Sequence, residues 1–127
     1  MKTEEELIWE SYKSVNKKLP TFSQVINWFD YYNPFEDEGL YASDIKSIYL
    51  IGSRAKGTNR DNSDYDLAVE FSSDDIENTG MTPIQLTELL HQNFGTQMPK
   101  FNDLPIDIQI FEMDSDEQQS YSKIQLR

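Results

Sequence analysis

The chain has 127 residues, of which 37% are apolar and 13% aromatic, so we expect a folded domain with one modest core rather than a disordered tail. Its 23 acidic and 11 basic residues give a net charge of −12, which argues against binding to duplex nucleic acid or anionic lipid and suits a protein partner better. The absence of cysteine excludes disulfides and cysteine-based metal sites and agrees with a reducing compartment. The N-terminus has no signal-peptide apolar segment and no apolar run reaches membrane-spanning length, so we expect a cytoplasmic protein.

Two helices are predicted before the first strand. Residues 3–18 carry an apolar stripe at helical spacing. Residues 21–32 carry a second stripe, and Thr21 or Ser23 is a candidate N-cap. The acidic segment 35–43 that follows is predicted to be a solvated connection.

Three strands and one further helix are predicted in the rest of the chain. Residues 46–51 are almost all apolar, which is typical of a central strand covered on both faces. A second strand begins at Asp64 and Asp66 and ends at Phe71. Residues 83–94 have helical spacing with proline at the first position, and residues 105–112 alternate between apolar and polar as a strand does.

The remaining segments, 72–82 and 96–104, are predicted to be loops, and residues 114–127 a short polar helix or a frayed end. The predicted order, α-α-β-(α)-β-α-β-α, indicates an α/β (α+β) domain with a small mixed β-sheet and helices packed on it. We interpret residues 1–127 as one domain, with 1–44 as a helical N-terminal extension and 45–127 as the catalytic core.

The sequence GSRAKG, which begins at Gly52, lies between the first strand and a short helix. This order places backbone N–H groups and a hydroxyl at a helix N-terminus, where anions are favoured. Gly52 would let a phosphate approach closely, Ser53 would donate its hydroxyl, and Arg54 or Lys56 would neutralise charge. The stretch is not a P-loop, because Thr58 stands where a P-loop has lysine.

Three carboxylates are candidates for holding a divalent cation. Asp64 and Asp66 are two residues apart at the start of the second strand, and alternation places them on one face with Ala68 and Glu70, away from the core. Asp107 lies on the polar face of the third strand. If that strand pairs beside the second, the three carboxylates converge near the GSRAKG turn. Carboxylates together with substrate phosphates bind Mg²⁺, so the pattern favours a two-metal phosphoryl-transfer site.

Two other features are interpreted as structural. His91, in the helix over residues 83–94, is expected to be a surface or partly buried residue rather than a ligand. The aromatic residues at 28–32 are expected to belong to the core rather than to stack on a base.

GSRAKG, followed by SDYDLAV and by a later single aspartate on a strand, resembles the signature of the DNA polymerase β-type nucleotidyltransferase superfamily. The resemblance covers Ile48–Phe71 and Pro105–Phe111 and is nearest to the small stand-alone members, the minimal nucleotidyltransferases with antitoxin-like roles. It implies that Mg²⁺ is held by Asp64, Asp66 and Asp107.

The same resemblance implies that Asp107 also helps to deprotonate the attacking hydroxyl. It assigns the nucleotide triphosphate to Gly52, Ser53 and Arg54. The two predicted N-terminal helices are a departure from the family pattern, in which a single helix often precedes the first strand.

The activity implied is Mg²⁺-dependent transfer of a nucleoside monophosphate from an NTP, with AMP from ATP favoured, to a hydroxyl of a protein acceptor. The acceptor would be a partner such as a HEPN-type ribonuclease toxin, so that the protein acts as an antitoxin by AMPylation. Two alternatives stay open: a small-molecule nucleotidyltransferase of the antibiotic-modifying kind, and a non-catalytic partner-binding module that keeps the fold. Template-directed polymerisation is disfavoured, because the chain has no room for fingers or thumb domains.

Overall fold

A computed structural model of the protein describes residues 19–59, 64–101, 103–113 and 123–126. The helix predicted over residues 3–18 lies outside these ranges, as does most of the predicted C-terminal helix or frayed end. No helix within the described ranges is long and apolar enough to cross a membrane.

Five strands form one mixed sheet in the order β3-β4-β2-β1-β5. β2 and β4 are parallel, and the other three neighbouring pairs are antiparallel. The parallel pair requires a crossover connection, which the helices between β2 and β4 supply. The strands are β1 Ile45–Ile51, β2 Tyr65–Phe71, β3 Lys100–Phe101, β4 Leu104–Glu112 and β5 Ile124–Gln125.

Four α-helices accompany the sheet in the described residues: α1 Phe22–Tyr32, α2 Gly52–Lys56, α3 Ser73–Asn78 and α4 Pro83–Phe94. α1 and α4 both begin with a capping box, in which a threonine and a glutamine each accept the other's backbone N–H. Thr21 is the N-cap of α1, as one of the two predicted candidates, and Thr82 is the N-cap of α4.

The core lies between one face of the sheet and the helices. Leu50, Leu67 and Ile108 on the three central strands are fully buried, and α1 and α4 contribute further buried residues, among them Phe29 and Leu90. Strand alternation sends the neighbouring residues to the opposite face. The prediction of an α/β domain with a small mixed sheet and packed helices is confirmed.

The acidic segment 35–43 is not the solvated connection that was predicted. It folds into two 3-10 turns, Glu36–Glu38 and Ala42–Asp44. Phe35 is only 1% exposed, and its ring lies 6.3 Å from that of Phe29 and 6.5 Å from that of Phe71, centroid to centroid. The apolar residues in this segment anchor it to the core while the carboxylates face water.

Two predicted loops contain short regular elements. Within residues 72–82, α3 begins where the Ser72 hydroxyl accepts a hydrogen bond from the N–H of Asp75 at 3.2 Å, and Ile76 is its buried residue. Within residues 96–104, β3 pairs with the start of β4. Both elements are too short to show a periodicity in the sequence.

The described part of the C-terminal segment is a strand, and the prediction of a polar helix or frayed end is wrong there. β5 pairs with β1 through Tyr49–Gln125 and Leu50–Ile124. The N–H of Leu126 donates to the carbonyl of Ile48 at 2.8 Å, and the Leu126 side chain is buried. The alternating apolar residues at 124 and 126 decide this outcome, because the strand buries them at the edge of the sheet.

Candidate active site

Asp66 and Asp107 are register partners in the parallel β2–β4 pair. Adjacent strands lie about 4.8 Å apart, and partners in register point to the same face. Burial raises the pKa of Asp66 above its ordinary value, and the negative charges of Asp107 and then Asp64 raise it further. The structure therefore brings two of the predicted carboxylates side by side and places the third, Asp64, close enough for its charge to act on Asp66.

Asp64 lies just before β2, which starts at Tyr65, and its side chain is exposed. It is therefore not itself a strand residue, although its charge acts on Asp66. Asp66 is half-buried, so the three carboxylates form a cluster that is deepest at Asp66 and most open to water at Asp64.

The face of β2 that carries Asp66 becomes buried further along the strand, although the alternation predicted a polar face. Ala68 is fully buried in a small cluster with Ile51 and Phe111. Glu70 is 3% exposed, and its Oε1 accepts a hydrogen bond from the Ser47 hydroxyl on β1. Only the first part of this face is available for chemistry.

Gly52 connects the turn to the carboxylates. The residue before it, Ile51, is the register partner of Asp66 across the β1–β2 pair. Gly52 has φ +74, and a Cβ placed on it would lie 2.5 Å from Oδ2 of Asp66. A left-handed backbone and the absence of a side chain are both needed here, so the glycine accommodates a carboxylate of the protein itself.

The GSRAKG sequence forms α2, a helix of five residues that ends at Gly57 with φ 75. Its N-cap is Ile51, which provides no side-chain hydrogen bond to the first turn. The start of α2, with its backbone N–H groups and the half-buried Ser53, thus follows directly after β1. β1 pairs with β2, the strand that carries Asp66. Groups of this kind can bind an anion.

Arg54 is 3% exposed, and its guanidinium carbon lies 4.0 Å from the centroid of the buried Tyr65 ring. Stacking of this kind is a cation–π contact, which holds the α2 turn against β2. The structure thus places Arg54 beneath the turn rather than at its surface. Its part in binding phosphate stays a prediction.

His91 contacts Asp107, which sequence reasoning missed. Its Nε2 atom lies 3.1 Å from Oδ1 of Asp107 and 3.0 Å from the carbonyl oxygen of Ile108. The two side chains are 41% and 40% exposed. The sequence places His91 one helical turn after Thr87, but no periodicity could reveal that this side of α4 runs along β4 at Asp107.

The aromatic residues of α1 divide between core and surface. Trp28 and Phe29 are buried, as predicted, whereas Tyr31 is 81% exposed. Trp28 and Tyr31 border a cleft of about 450 Å³ that also includes Lys100 and Ile106. None of the site carboxylates lines this cleft, so it is separate from the carboxylate cluster.

A cation is compatible with this donor set when a substrate completes it. In the described parts of the chain no three His, Cys, Asp or Glu side chains are grouped closely enough to hold a metal ion by themselves. Mg²⁺ is usually bound by one or two carboxylates together with substrate phosphates, and it does not need a cage made of protein groups alone. Burial raises the pKa of Asp66, and the charges of Asp107 and Asp64 raise it further; a bound cation would relieve the repulsion among these carboxylates.

Fold and site together define a mixed α/β domain with a carboxylate cluster beside a glycine-serine turn. The sequence profile of the family described as polymerase beta, nucleotidyltransferase, matches residues 40–123, which is more than half of the chain. The protein therefore belongs to the polymerase beta nucleotidyltransferase family, and the resemblance found in the sequence is confirmed at the level of the superfamily.

The crystal structure of a candidate nucleotidyltransferase from Sulfolobus solfataricus aligns with a TM-score of 0.47 and 18% identity over 98% of this chain and 87% of that one. No curated protein matches the chain.

Proposed function

We propose that the protein transfers a nucleoside monophosphate, with AMP from ATP favoured, to a hydroxyl group of a protein acceptor. The observation that carries the proposal is the pairing of Asp66 with Asp107 in register while Gly52 lies against the Asp66 carboxylate. This arrangement unites, on two adjoining strand pairs, the groups needed to bind a triphosphate and to activate a hydroxyl.

Each side chain has a separate role in the proposed reaction. The N–H groups at the start of α2 and the Ser53 hydroxyl hold the phosphates, and Arg54 assists by stabilising the turn. Asp64, Asp66 and Asp107 would hold Mg²⁺, which would neutralise charge on the α-phosphate and on the leaving pyrophosphate. The acceptor oxygen bonds to the α-phosphorus, the bond to pyrophosphate breaks, and Asp107 takes the proton of the acceptor hydroxyl.

A protein acceptor is supported by charge. The net charge of −12 disfavours a polyanionic acceptor and favours a basic protein surface. Combined with the resemblance to minimal nucleotidyltransferases, this supports an antitoxin role in which the acceptor is a HEPN-type ribonuclease toxin that AMPylation inactivates.

The experiment combines the purified protein with Mg²⁺, ATP labelled in the α-phosphate, and a co-expressed partner protein. Intact-mass analysis of the partner should show additions in steps of one AMP, with pyrophosphate released in equal amount. Asp66→Asn and Asp107→Asn should abolish the additions. Asp74→Asn, which removes an exposed carboxylate on α3, should leave them unchanged.

Three outcomes would overturn the proposal in different ways. Label on an aminoglycoside and not on protein would make the protein an antibiotic-type enzyme. A biological effect fully retained by the Asp66→Asn, Asp107→Asn double variant would make it a non-catalytic binding module. Labelling that is unchanged in both single variants would remove the carboxylates from the chemistry.

A further inference from the structure

The open edge of β4 is closed by two side chains of α4 that are one helical turn apart. Among the described residues, β3 pairs with the start of β4 at residues 104 and 105, and the N–H of Ile106 donates to the Pro99 carbonyl just before β3. Further along, the N–H of Ile110 donates to the Thr87 hydroxyl at 2.9 Å, and the carbonyl of Ile108 lies 3.0 Å from Nε2 of His91. Thr87 and His91 thus satisfy strand groups that have no neighbouring strand on this side within the described part of the chain.

His91 makes a second contact that Thr87 does not make, because the same Nε2 atom lies 3.1 Å from Oδ1 of Asp107. A carbonyl oxygen can only accept, so Nε2 must carry a hydrogen in order to bond Ile108. That hydrogen is then shared between the carbonyl and the carboxylate. The contact can form in the neutral tautomer with its hydrogen on Nε2 and in protonated imidazole, since Nε2 carries a hydrogen in each of these forms.

We propose that His91 is a positioning residue that fixes the carboxylate of Asp107 for cation binding and for proton transfer, an inference that rests on the proposed function. The contact on Oδ1 restricts rotation of the Asp107 carboxylate, which would then be held in one orientation for a cation and for the acceptor hydroxyl. Because His91 is also anchored to the β4 backbone, the orientation of Asp107 is tied to the strand itself. Groups that orient metal-binding side chains affect affinity and rate although they touch neither metal nor substrate.

The competing explanation is that His91 only closes the strand edge. Thr87 provides the matched control, since it closes the same edge from the same helix without contacting the carboxylate. Thr87→Val removes the edge hydrogen bond from Ile110 together with the bond that the Thr87 hydroxyl donates to the Pro83 carbonyl within α4, and it leaves the carboxylate contact intact. His91→Phe removes the edge bond and the carboxylate contact, whereas His91→Gln keeps an N–H near the position of Nε2.

The experiment titrates Mn²⁺ together with a non-hydrolysable ATP analogue into the wild type and these variants, and follows free Mn²⁺ by electron paramagnetic resonance against the same titration without protein. His91→Phe should weaken Mn²⁺ binding and lower kcat by about 10- to 100-fold, with KM for ATP changed less than kcat. His91→Gln should recover most of both quantities. Thr87→Val should match the wild type in Mn²⁺ affinity and kcat while its thermal stability falls at least as far as that of His91→Phe.

The outcomes separate this inference from the proposed function. Wild-type Mn²⁺ affinity and kcat in His91→Phe, or equal losses in Thr87→Val, would overturn the positioning role and leave the proposed function standing. A wild type that binds no Mn²⁺ and labels no acceptor would overturn both. Nitrogen NMR of the His91 ring gives a reading independent of activity, since a neutral ring with its hydrogen on Nδ1 would also overturn the inference.

Discussion

A Cβ atom on Gly52 would lie 2.5 Å from Oδ2 of Asp66, closer than such atoms approach one another in proteins. The turn after β1 and the carboxylate on β2 are therefore in direct contact. A change on one side of this contact must move the other, which makes it the most sensitive point of the candidate site.

Gly52→Ala should both strain the backbone and displace the Asp66 carboxylate. The left-handed backbone alone costs an alanine about 1–2 kcal/mol. Gly39→Ala is the matched control, because Gly39 has φ +77 with nothing within 4 Å of the added Cβ. Urea unfolding should show a larger loss of stability for Gly52→Ala, and nucleotidyl transfer should fall only in that variant. Equal losses of stability with activity retained would contradict the contact.

Asp66→Asn should stabilise the protein at neutral pH while abolishing activity. Burial and the neighbouring carboxylates raise the pKa of Asp66 in the folded chain above its ordinary value of 3.8. The folded state then binds this proton more tightly than the unfolded state does, so stability falls as pH rises from 3.8 through the folded pKa and stays low above it. The amide has no charge, so the variant avoids this loss.

The gain should be no more than about 1 kcal/mol, because water screens a half-exposed carboxylate. Urea unfolding of the variant and the wild type at neutral pH measures this gain in stability. At about pH 3 the gain should vanish, because this pH lies below the pKa of Asp66 in both the folded and the unfolded chain, and the carboxyl is then protonated in both. Asp74→Asn serves as the control for removal of an ordinary surface charge. A destabilised Asp66→Asn at neutral pH would show that the carboxylate is stabilised by its surroundings.

Arg54→Met should destabilise the fold by about 1–2 kcal/mol, because it keeps most of the side-chain volume but loses the cation–π contact with Tyr65. Thermal and urea unfolding test this directly. Ser53→Ala is the comparison, since it should raise KM for ATP with little change in stability. If Arg54→Met instead kept full stability and raised KM alone, Arg54 would act on the phosphates rather than through the fold.

Ser47→Ala should cost about 1–3 kcal/mol, because it leaves the buried Glu70 carboxylate without the hydroxyl that donates to it. The double variant Ser47→Ala, Glu70→Leu should recover part of that loss, since both partners are then apolar. Denaturant unfolding of the two single variants and the double variant gives the coupling energy. Additive losses would show that the two side chains act independently.

Secondary-structure elements could be predicted from the sequence where capping residues and apolar periodicity within the element itself mark them. The helix Pro83–Phe94 was predicted with its observed bounds, because a proline and a capping threonine mark its start and apolar residues recur along it. α3 was missed because it has one buried residue, Ile76, and a helix with a single apolar contact shows no apolar periodicity in the sequence. A capping serine and this one core contact define it. β5 was missed because two strand residues pair with β1 only once the rest of the sheet exists.

In the site, Asp66 and Asp107 could be predicted as neighbours from strand alternation and the motif. The contact of His91 with Asp107 could not, since it depends on α4 lying along the edge of β4 that faces away from β2. The burial of Arg54 likewise depends on how the α2 turn packs against Tyr65. Contacts between side chains of two different elements depend on how those elements pack together, and no local pattern in a single sequence encodes that packing.

The parallel pairing of β2 with β4 also has a consequence for folding. Asp66 and Asp107 come together only after the intervening α3–α4 segment has crossed over, and such non-local contacts form slowly. During synthesis, the turn and Asp66 leave the ribosome long before Asp107, so a nascent chain has an incomplete site. An NTP with its cation would then bind only the completed sheet and would stabilise it by mass action, without assisting the earlier steps of folding.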